Sequence, residues 1–462
     1  MKKAPMNSLV LMLLMFSLQA EQIKLEMSTP HPVIKANRKN TVFVKVALTG
    51  FEMKNSKRPP VNVAIVLDKS GSMAGDKMRK AKMAAINAVN RLQANDIISI
   101  IAYDNGVQVL VPATKVSDKE AIIKQIQSLD AQGGTALFSG VSKGAAEVRK
   151  FIKKESVNRV ILLSDGQANQ GPSSPAELGE LGVSLIKENI SVSTIGLGNG
   201  YNDDLMIRLA SKSDGNHIFA ETPQQLIAAF NRELGDVLSV VAQEIVININ
   251  CAPGVRPVRV LGREAEIQEQ KVLVHMNQIN SKQEKFIILE VEIPSADSGS
   301  TQKIASTSVS YSNMQTKVSH SLSSQLAVRF SKDQKLIDKS LDQNTMIACI
   351  SLQATLRNGQ AMKLRDQGKV QEAQQILLMN CNILHSTMTL FPSSSKLNNA
   401  WNFNKNDFDN IIDTSTYQTQ RKRMNELNRA VINQQVKTFG YTNLDNVKPR
   451  RINEDELHKN KK

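Results

Sequence analysis

Aromatic side chains are scarce in this chain, 4% of residues with a single Trp, which argues against a stacking platform for single-stranded nucleic acid. Cysteine is rarer still. Cys251, Cys349 and Cys381 are too few and too irregularly spaced for a disulfide framework or a zinc site. Cys349 and Cys381 fall in segments that read as adjacent helices, so either they pair in an oxidising compartment or, the better reading, they are small buried hydrophobes. No stretch is long and apolar enough to span a bilayer comfortably. No G-x-S-x-G, H-E-x-x-H or G-K-[ST] pattern marks a hydrolase, a metalloprotease or a phosphate loop. Acidic residues are outnumbered, leaving a net charge of +15, but the basic residues are spread along the chain and form no zinc-finger or ribonucleoprotein motif. Nucleic acid is therefore not an expected partner; a solvated basic surface, suited to acidic partners or anionic membranes, accounts for the charge.

With 41% apolar residues in 462, the chain has material for real cores and a length that suggests about three units. Lys2 and Lys3 precede the apolar run Leu9 to Phe16, and Leu18-Gln19-Ala20 offers a small residue at a cleavage point. Residues 1–20 thus read as a signal peptide, cleaved or retained as an anchor, and the chain as exported to a periplasm or the exterior.

The most informative stretch is Val63-Ala64-Ile65-Val66-Leu67-Asp68-Lys69-Ser70-Gly71-Ser72. Five consecutive apolar residues predict a strand buried on both faces, as in a parallel sheet covered by helices. Asp68, Ser70 and Ser72 then fall beyond its carboxyl end, where open parallel sheets bind ligands. Hydroxyl and carboxylate oxygens suit hard cations such as Mg²⁺, Mn²⁺ or Ca²⁺, and no thiolate or imidazole is at hand to select zinc. Read blandly, these are strand-end polar residues that cap helices.

Asp68-Lys69-Ser70-Gly71-Ser72 resembles the D-x-S-x-S motif of von Willebrand factor type A domains, their metal-ion-dependent adhesion site. The resemblance implies a Thr from a second loop and an Asp from a third. Gly133-Gly134-Thr135 and, after the apolar run Val160 to Leu163, Ser164-Asp165-Gly166 match in order and spacing. By this likeness Ser70, Ser72 and Thr135 contact a metal directly or through water, while Asp68 and Asp165 act largely through water.

The expected fold class is α/β, a doubly wound, mostly parallel sheet inserted in an antiparallel β-sandwich and followed by a helical hairpin. Residues 59–241 alternate strand and helix signals. Ser117 to Glu120 has capping-box form and predicts the start of a helix. Residues 242–331 show period-two alternation, as in Ile245, Ile247 and Ile249, and read as a sandwich that residues 21–58 join. Such an arrangement is similar to exported bacterial proteins resembling the inter-alpha-trypsin inhibitor heavy chains and the calcium-activated chloride channel regulators. Residues 332–390 read as a hairpin, with one helix from Asp333 to Asp366, a second from Val370 to Leu384, and Ala361, Leu364, Ala373 and Leu377 in the seam. Residues 391–442 read as irregular with a helix from Tyr417 to Thr438, and residues 443–462 as a disordered basic tail.

These readings imply an exported binding protein, not an enzyme, whose divalent ion coordinates a carboxylate of a protein partner. Asp104, Asn105, Gln167 and Asn169 are the candidate partner-binding loop residues. A structural scaffold of an envelope assembly is the alternative. A metal-dependent hydrolase comes third, because neither His217 nor His275 is placed as a general base and Gly133-Gly134-Thr135 lacks the lysine of a phosphate loop. The sequence does not set an oligomeric state.

Overall fold

The computed structural model describes residues 22–53 and 58–435. The expected signal peptide and basic tail lie outside the described residues. The chain begins with β1 (Lys24–Ser28), β2 (Val33–Lys35) and β3 (Asn40–Thr49). Next come β4 (Val61–Asp68), a 3₁₀ turn at Gly71–Met73, α1 (Asp76–Arg91), β5 (Ile97–Tyr103), β6 (Val107–Lys115), α2 (Lys119–Gln127) and α3 (Leu137–Arg149). The alternation continues through β7 (Val157–Ser164), α4 (Pro175–Lys187), β8 (Ser191–Leu197), α5 (Asp203–Lys212), β9 (His217–Ala220) and α6 (Leu226–Val237). Seven strands follow: β10 (Val240–Cys251), β11 (Arg256–Leu261), β12 (Glu266–Gln268), β13 (Lys271–Asn280), β14 (Glu284–Ile293), β15 (Thr301–Asn313) and β16 (Ser319–Ser331). The helices α7 (Gln334–Lys339), α8 (Gln343–Asp366), α9 (Val370–Leu390), α10 (Ser395–Asn410) and α11 (Tyr417–Ile432) complete the described chain.

The central sheet has the order β6-β5-β4-β7-β8-β9, parallel except where β6 pairs antiparallel to β5. All eight residues of β4 and of β7 are buried, as strands covered on both faces require. Chain order reverses between these two neighbours, so a crevice opens at their carboxyl ends. Asp68 ends β4, and Asp165 directly follows β7.

Two sheets flank this unit in sequence, with orders β1-β3-β14-β11 and β12-β13-β10-β15-β16-β2, antiparallel except where the edge strand β2 runs parallel to β16. β3 pairs with β14 and β2 with β16, so strands on either side of the central unit share one sandwich core built from Val44, Val46, Ile247, Leu289 and Phe330. Helix α8 lays Cys349 and Leu352 on Leu261 and Ile288 of the four-stranded sheet. Ala361, Ala373 and Leu377 meet between α8 and α9, with Leu364 half-buried against them, and α11 adds Tyr417 and Met424.

Several local expectations need correction. The helix expected from Asp333 to Asp366 is two helices, because Asp333 caps α7 and Asp342 caps α8, its side chain accepting from Thr345 N at 2.6 Å. The N-cap of α2 is Asp118, not Ser117, and accepts from Ala121 N. A complete capping box stands instead at Ser174 and Glu177, ahead of Pro175. Residues 395–410 form α10, and α11 ends at Ile432, short of Thr438, which lies outside the described residues. The three cysteines are free and buried, and burial pushes the Cys349 and Cys381 thiols up to about 12.

Candidate metal centre

Asp68 is fully buried, yet its carboxylate has donors on every side. Oδ1 accepts from Ser70 N at 2.8 Å; Oδ2 accepts from Ser164 Oγ at 2.7 Å and Tyr103 OH at 3.3 Å. Ser70 Oγ lies 3.1 Å from Ser72 Oγ, which donates to Asp165 Oδ1 at 2.7 Å. A Cβ built on Gly166 would stand 3.4 Å from Thr135 Oγ1 and 3.6 Å from Ser72 Oγ, so those two hydroxyls converge on the third loop. Asp68, Ser70, Ser72, Thr135 and Asp165 therefore surround one spot at the sheet crevice. They are not helix caps: neither Gly75 before α1 nor Ala136 before α3 makes a side-chain cap bond, and the Ser70 hydroxyl does not cap the 3₁₀ turn.

The loops are laced together by their backbones. Gly71 N donates to Gly133 O at 3.0 Å, Gln132 N to Lys69 O at 2.6 Å, and Asn169 N to Thr135 O at 3.2 Å. Gly133 has φ +79°, and a Cβ on Gly134 would meet Asn105 Oδ1 at 2.5 Å, so the paired glycines let this loop pass close under its neighbour.

The four side chains expected to face a partner are largely committed inward. Asp104 pairs with Lys69 and accepts from Gly106 N; burial alone would raise its pKa, but the Lys69 ammonium holds it below the usual carboxylate range. Asn105 Oδ1 accepts from Gly134 N at 2.8 Å, Asn169 Oδ1 from Thr135 N at 2.8 Å, and Gln167 Nε2 donates to Gly200 O at 2.6 Å. Asn105 and Asn169 thus position Thr135. Asn169→Ala is expected to weaken Mg²⁺ binding roughly tenfold or more, as loss of an outer-shell partner does, and titration calorimetry would show it; unchanged affinity would remove Asn169 from the site.

Three contributors escaped sequence reasoning. Ser164 was visible as the residue before Asp165. Tyr103 pairs in register with Asp68 across β5 and β4, and Lys77 sits in the first turn of α1 with its ammonium on Asp165 Oδ2. Neither carries a local signal.

The donor set fits a hard cation. Among the described residues no cluster of three His, Cys, Asp or Glu could hold a metal, so hydroxyls must supply most ligands, as Mg²⁺ and its like accept. Burial raises the Asp68 pKa, the Ser70 and Ser164 bonds oppose the shift, and the Asp165 charge adds to it. Burial and the Asp68 charge likewise push Tyr103 well up. Two carboxylates held this close, one of them fully buried, form a site that a positive charge would stabilise.

Comparison with known proteins agrees with this geometry. Residues 62–232 match the family described as von Willebrand factor type A domain. An uncharacterised protein of Synechocystis is 27% identical over 258 residues, 54% of this chain and 61% of that protein. Escherichia coli YfbK, also uncharacterised, is 28% identical over 241 residues, 52% and 41% of the two chains. Human inter-alpha-trypsin inhibitor heavy chain H3 is 31% identical over 165 residues, 34% of this chain and 18% of that one. The chain thus spans less than two thirds of each of these relatives. Two solved structures share the fold over nearly the whole chain. A von Willebrand factor type A protein from Catenulispora acidiphila has TM-score 0.67 and 15% identity, covering 90% of this chain and 98% of that one. The ArnB paralog VWA2 from Sulfolobus acidocaldarius has TM-score 0.62 and 17% identity, covering 89% and 99%. Domains of this family generally serve protein–protein interaction and adhesion and commonly bind a divalent metal. The central unit of this chain, residues 62–232, is a von Willebrand factor type A domain.

Proposed function

We propose that this chain is an exported, non-enzymatic protein-binding module whose central domain holds Mg²⁺, or Mn²⁺ or Ca²⁺, and uses it to engage a carboxylate on a protein partner. What carries the reading is the convergence of two carboxylates and three hydroxyls from three loops at the crevice of the sheet. A bound divalent ion supplies a Lewis-acid position that a partner's Asp or Glu oxygen fills. Ser70, Ser72 and Thr135 offer the neutral oxygens, so the site carries only the two charges of Asp68 and Asp165. Lys77, about one third exposed, is free to swing from Asp165 toward solvent and present its ammonium to an acidic partner.

Catalysis finds no support in the histidines. His217 is buried on β9, bonded to Thr194 and Tyr201, and burial lowers its pKa to about 3. Among the described residues no helix is long and apolar enough to cross a membrane. The exported assignment rests on the basic and apolar residues at the start of the sequence.

The scaffold reading draws on one observation, that Asn105, Asn169 and the loop backbones already lock the site together. Affinity capture from the envelope fraction separates the two. Partner retained with Mg²⁺, and released by chelator or by Asp68→Asn, supports metal-bridged binding; equal retention under all conditions supports the scaffold.

A further inference from the structure

A crevice of roughly 460 Å³ lies between the sandwich and helices α7 and α8, within the size range of small-molecule sites. It shares no residue with the metal centre. Its apolar wall is formed by Ile34 of β2, Phe43 of β3, and Met346, Cys349 and Ile350 of α8. It is fixed in place: Asp342 N donates to Pro30 O at 2.8 Å, Ser28 Oγ and Thr345 Oγ1 are 2.7 Å apart, and Val33 N donates to Ser340 Oγ at 3.3 Å. The helices are thus tied to the strands along this edge.

The charged lining is of one sign. Lys35 and Arg38 line the crevice and are exposed, and neither forms an ion pair among the described residues. Asn40 Nδ2 donates to the carbonyls of both, each at 2.9 Å, and so ties the end of β2 to the turn that carries Arg38. Thr29 is 1% exposed, and its hydroxyl has no partner; the buried Nδ1 of His31 has none either. Buried polar atoms without partners are rare and call for an explanation. The Thr29 hydroxyl and the His31 ring, in its Nδ1–H tautomer, can each donate to an oxyanion. No Asp or Glu lines the crevice.

We propose that this crevice binds an amphiphilic anion, with a carboxylate or phosphate head held by Lys35, Arg38, Thr29 and His31 and a short apolar body against Phe43, Met346 and Ile350. Such a molecule would come either free from solution or as a lipid in a bilayer.

Calorimetric titration of the full chain tests this with decanoate, decanol and decylamine, each below its micelle concentration. EDTA is present throughout, so that a carboxylate captured by metal at Asp68 cannot contribute. Decanoate should bind one to one and roughly tenfold tighter than decanol, the worth of its charged contacts, with decylamine weakest. Lys35→Ala with Arg38→Ala should bring decanoate to the level of decanol and leave decanol unchanged. Met346→Trp, which fills the crevice, should abolish both; if that variant melts early, the surface double variant decides alone. Co-sedimentation with vesicles of anionic phospholipid identifies the source: binding lost in the double variant points to a bilayer lipid, and decanoate binding without sedimentation points to a free amphiphile. No saturable decanoate binding at millimolar concentration, or binding that the double variant leaves intact, overturns the proposal.

Discussion

Millimolar Mg²⁺ is expected to raise the melting temperature of the wild-type chain, and Asp68→Asn is expected to show no such rise. A ligand that binds only the folded state at a hundredfold excess over its Kd adds about 2.7 kcal/mol, or roughly 5–10 °C for a domain of this size. Asn matches Asp in size but replaces one oxygen with an NH₂ facing the Ser164 and Tyr103 hydroxyls, and it removes one of the two charges in the site. The folded protein without metal should tolerate the change. Burial holds the Asp68 pKa above its ordinary value, so its ionised form is already disfavoured there. Loss of the metal response with little loss of basal stability is thus the expected pattern. An unchanged response in Asp68→Asn would mean that the metal binds elsewhere.

The second large effect lies at the joint between α11 and the central domain. Asp203 accepts from Arg421, from Lys422 Nζ at 3.3 Å and from Asn425 Nδ2 at 2.8 Å. Lys422 also donates to Tyr201 O at 2.8 Å and lies 3.9 Å from the Tyr201 ring centroid, with only 2% of its side chain exposed. Asp203→Ala leaves that ammonium buried without its counter-charge, at a cost of roughly 3–5 kcal/mol in urea denaturation. Asp204→Ala is the control: Asp204 bonds the same Arg421 but is 60% exposed, so about 1 kcal/mol or less is expected. Equal losses would show that burial does not govern the joint.

This joint should also respond to pH in two directions. Burial alone would raise Asp203, but Lys422 and Arg421 hold it below the usual carboxylate range. Its stabilisation is therefore present above its unfolded pKa of about 4 and is lost as pH falls through the lowered native value. Glu426, on the same helix, is pushed up to about 7 by burial, with Arg232 partly opposing. The native state keeps that proton longer than the unfolded chain, so this contribution fades as pH rises from about 4.3 toward 7. Glu426→Gln should flatten the upper limb alone. The joint also bears on the metal centre, because Tyr201 follows Gly200, whose carbonyl accepts from Gln167 beside Asp165.

What could be read in advance depended on how local the determinants were. β4 and β7 are runs of buried residues, the first ending in Asp68 and the second followed directly by Asp165, so strands and candidate ligands announce themselves together. Ser70, Ser72 and Thr135 follow from short motifs in chain order. Tyr103 and Lys77 reach the same spot through sheet register and helix placement, which no local pattern encodes. The break between α7 and α8 hid among polar residues, because Asp333 and Asp342 act as caps only once the chain turns there. Asp104, Asn105, Gln167 and Asn169 are loop residues whose side chains bind neighbouring loops and the ion-pair partner Lys69. The crevice beside α8 joins Thr29 to residues more than three hundred positions away.

The central claim is that side chains from three loops enclose one hard cation. Anomalous diffraction from crystals soaked in Mn²⁺ tests it most directly. The account predicts a single strong peak enclosed by Asp68, Ser70, Ser72, Thr135 and Asp165, with Lys77 moved off Asp165. No peak among those five residues, with Lys77 still on Asp165 and manganese bound elsewhere or not at all, would contradict it.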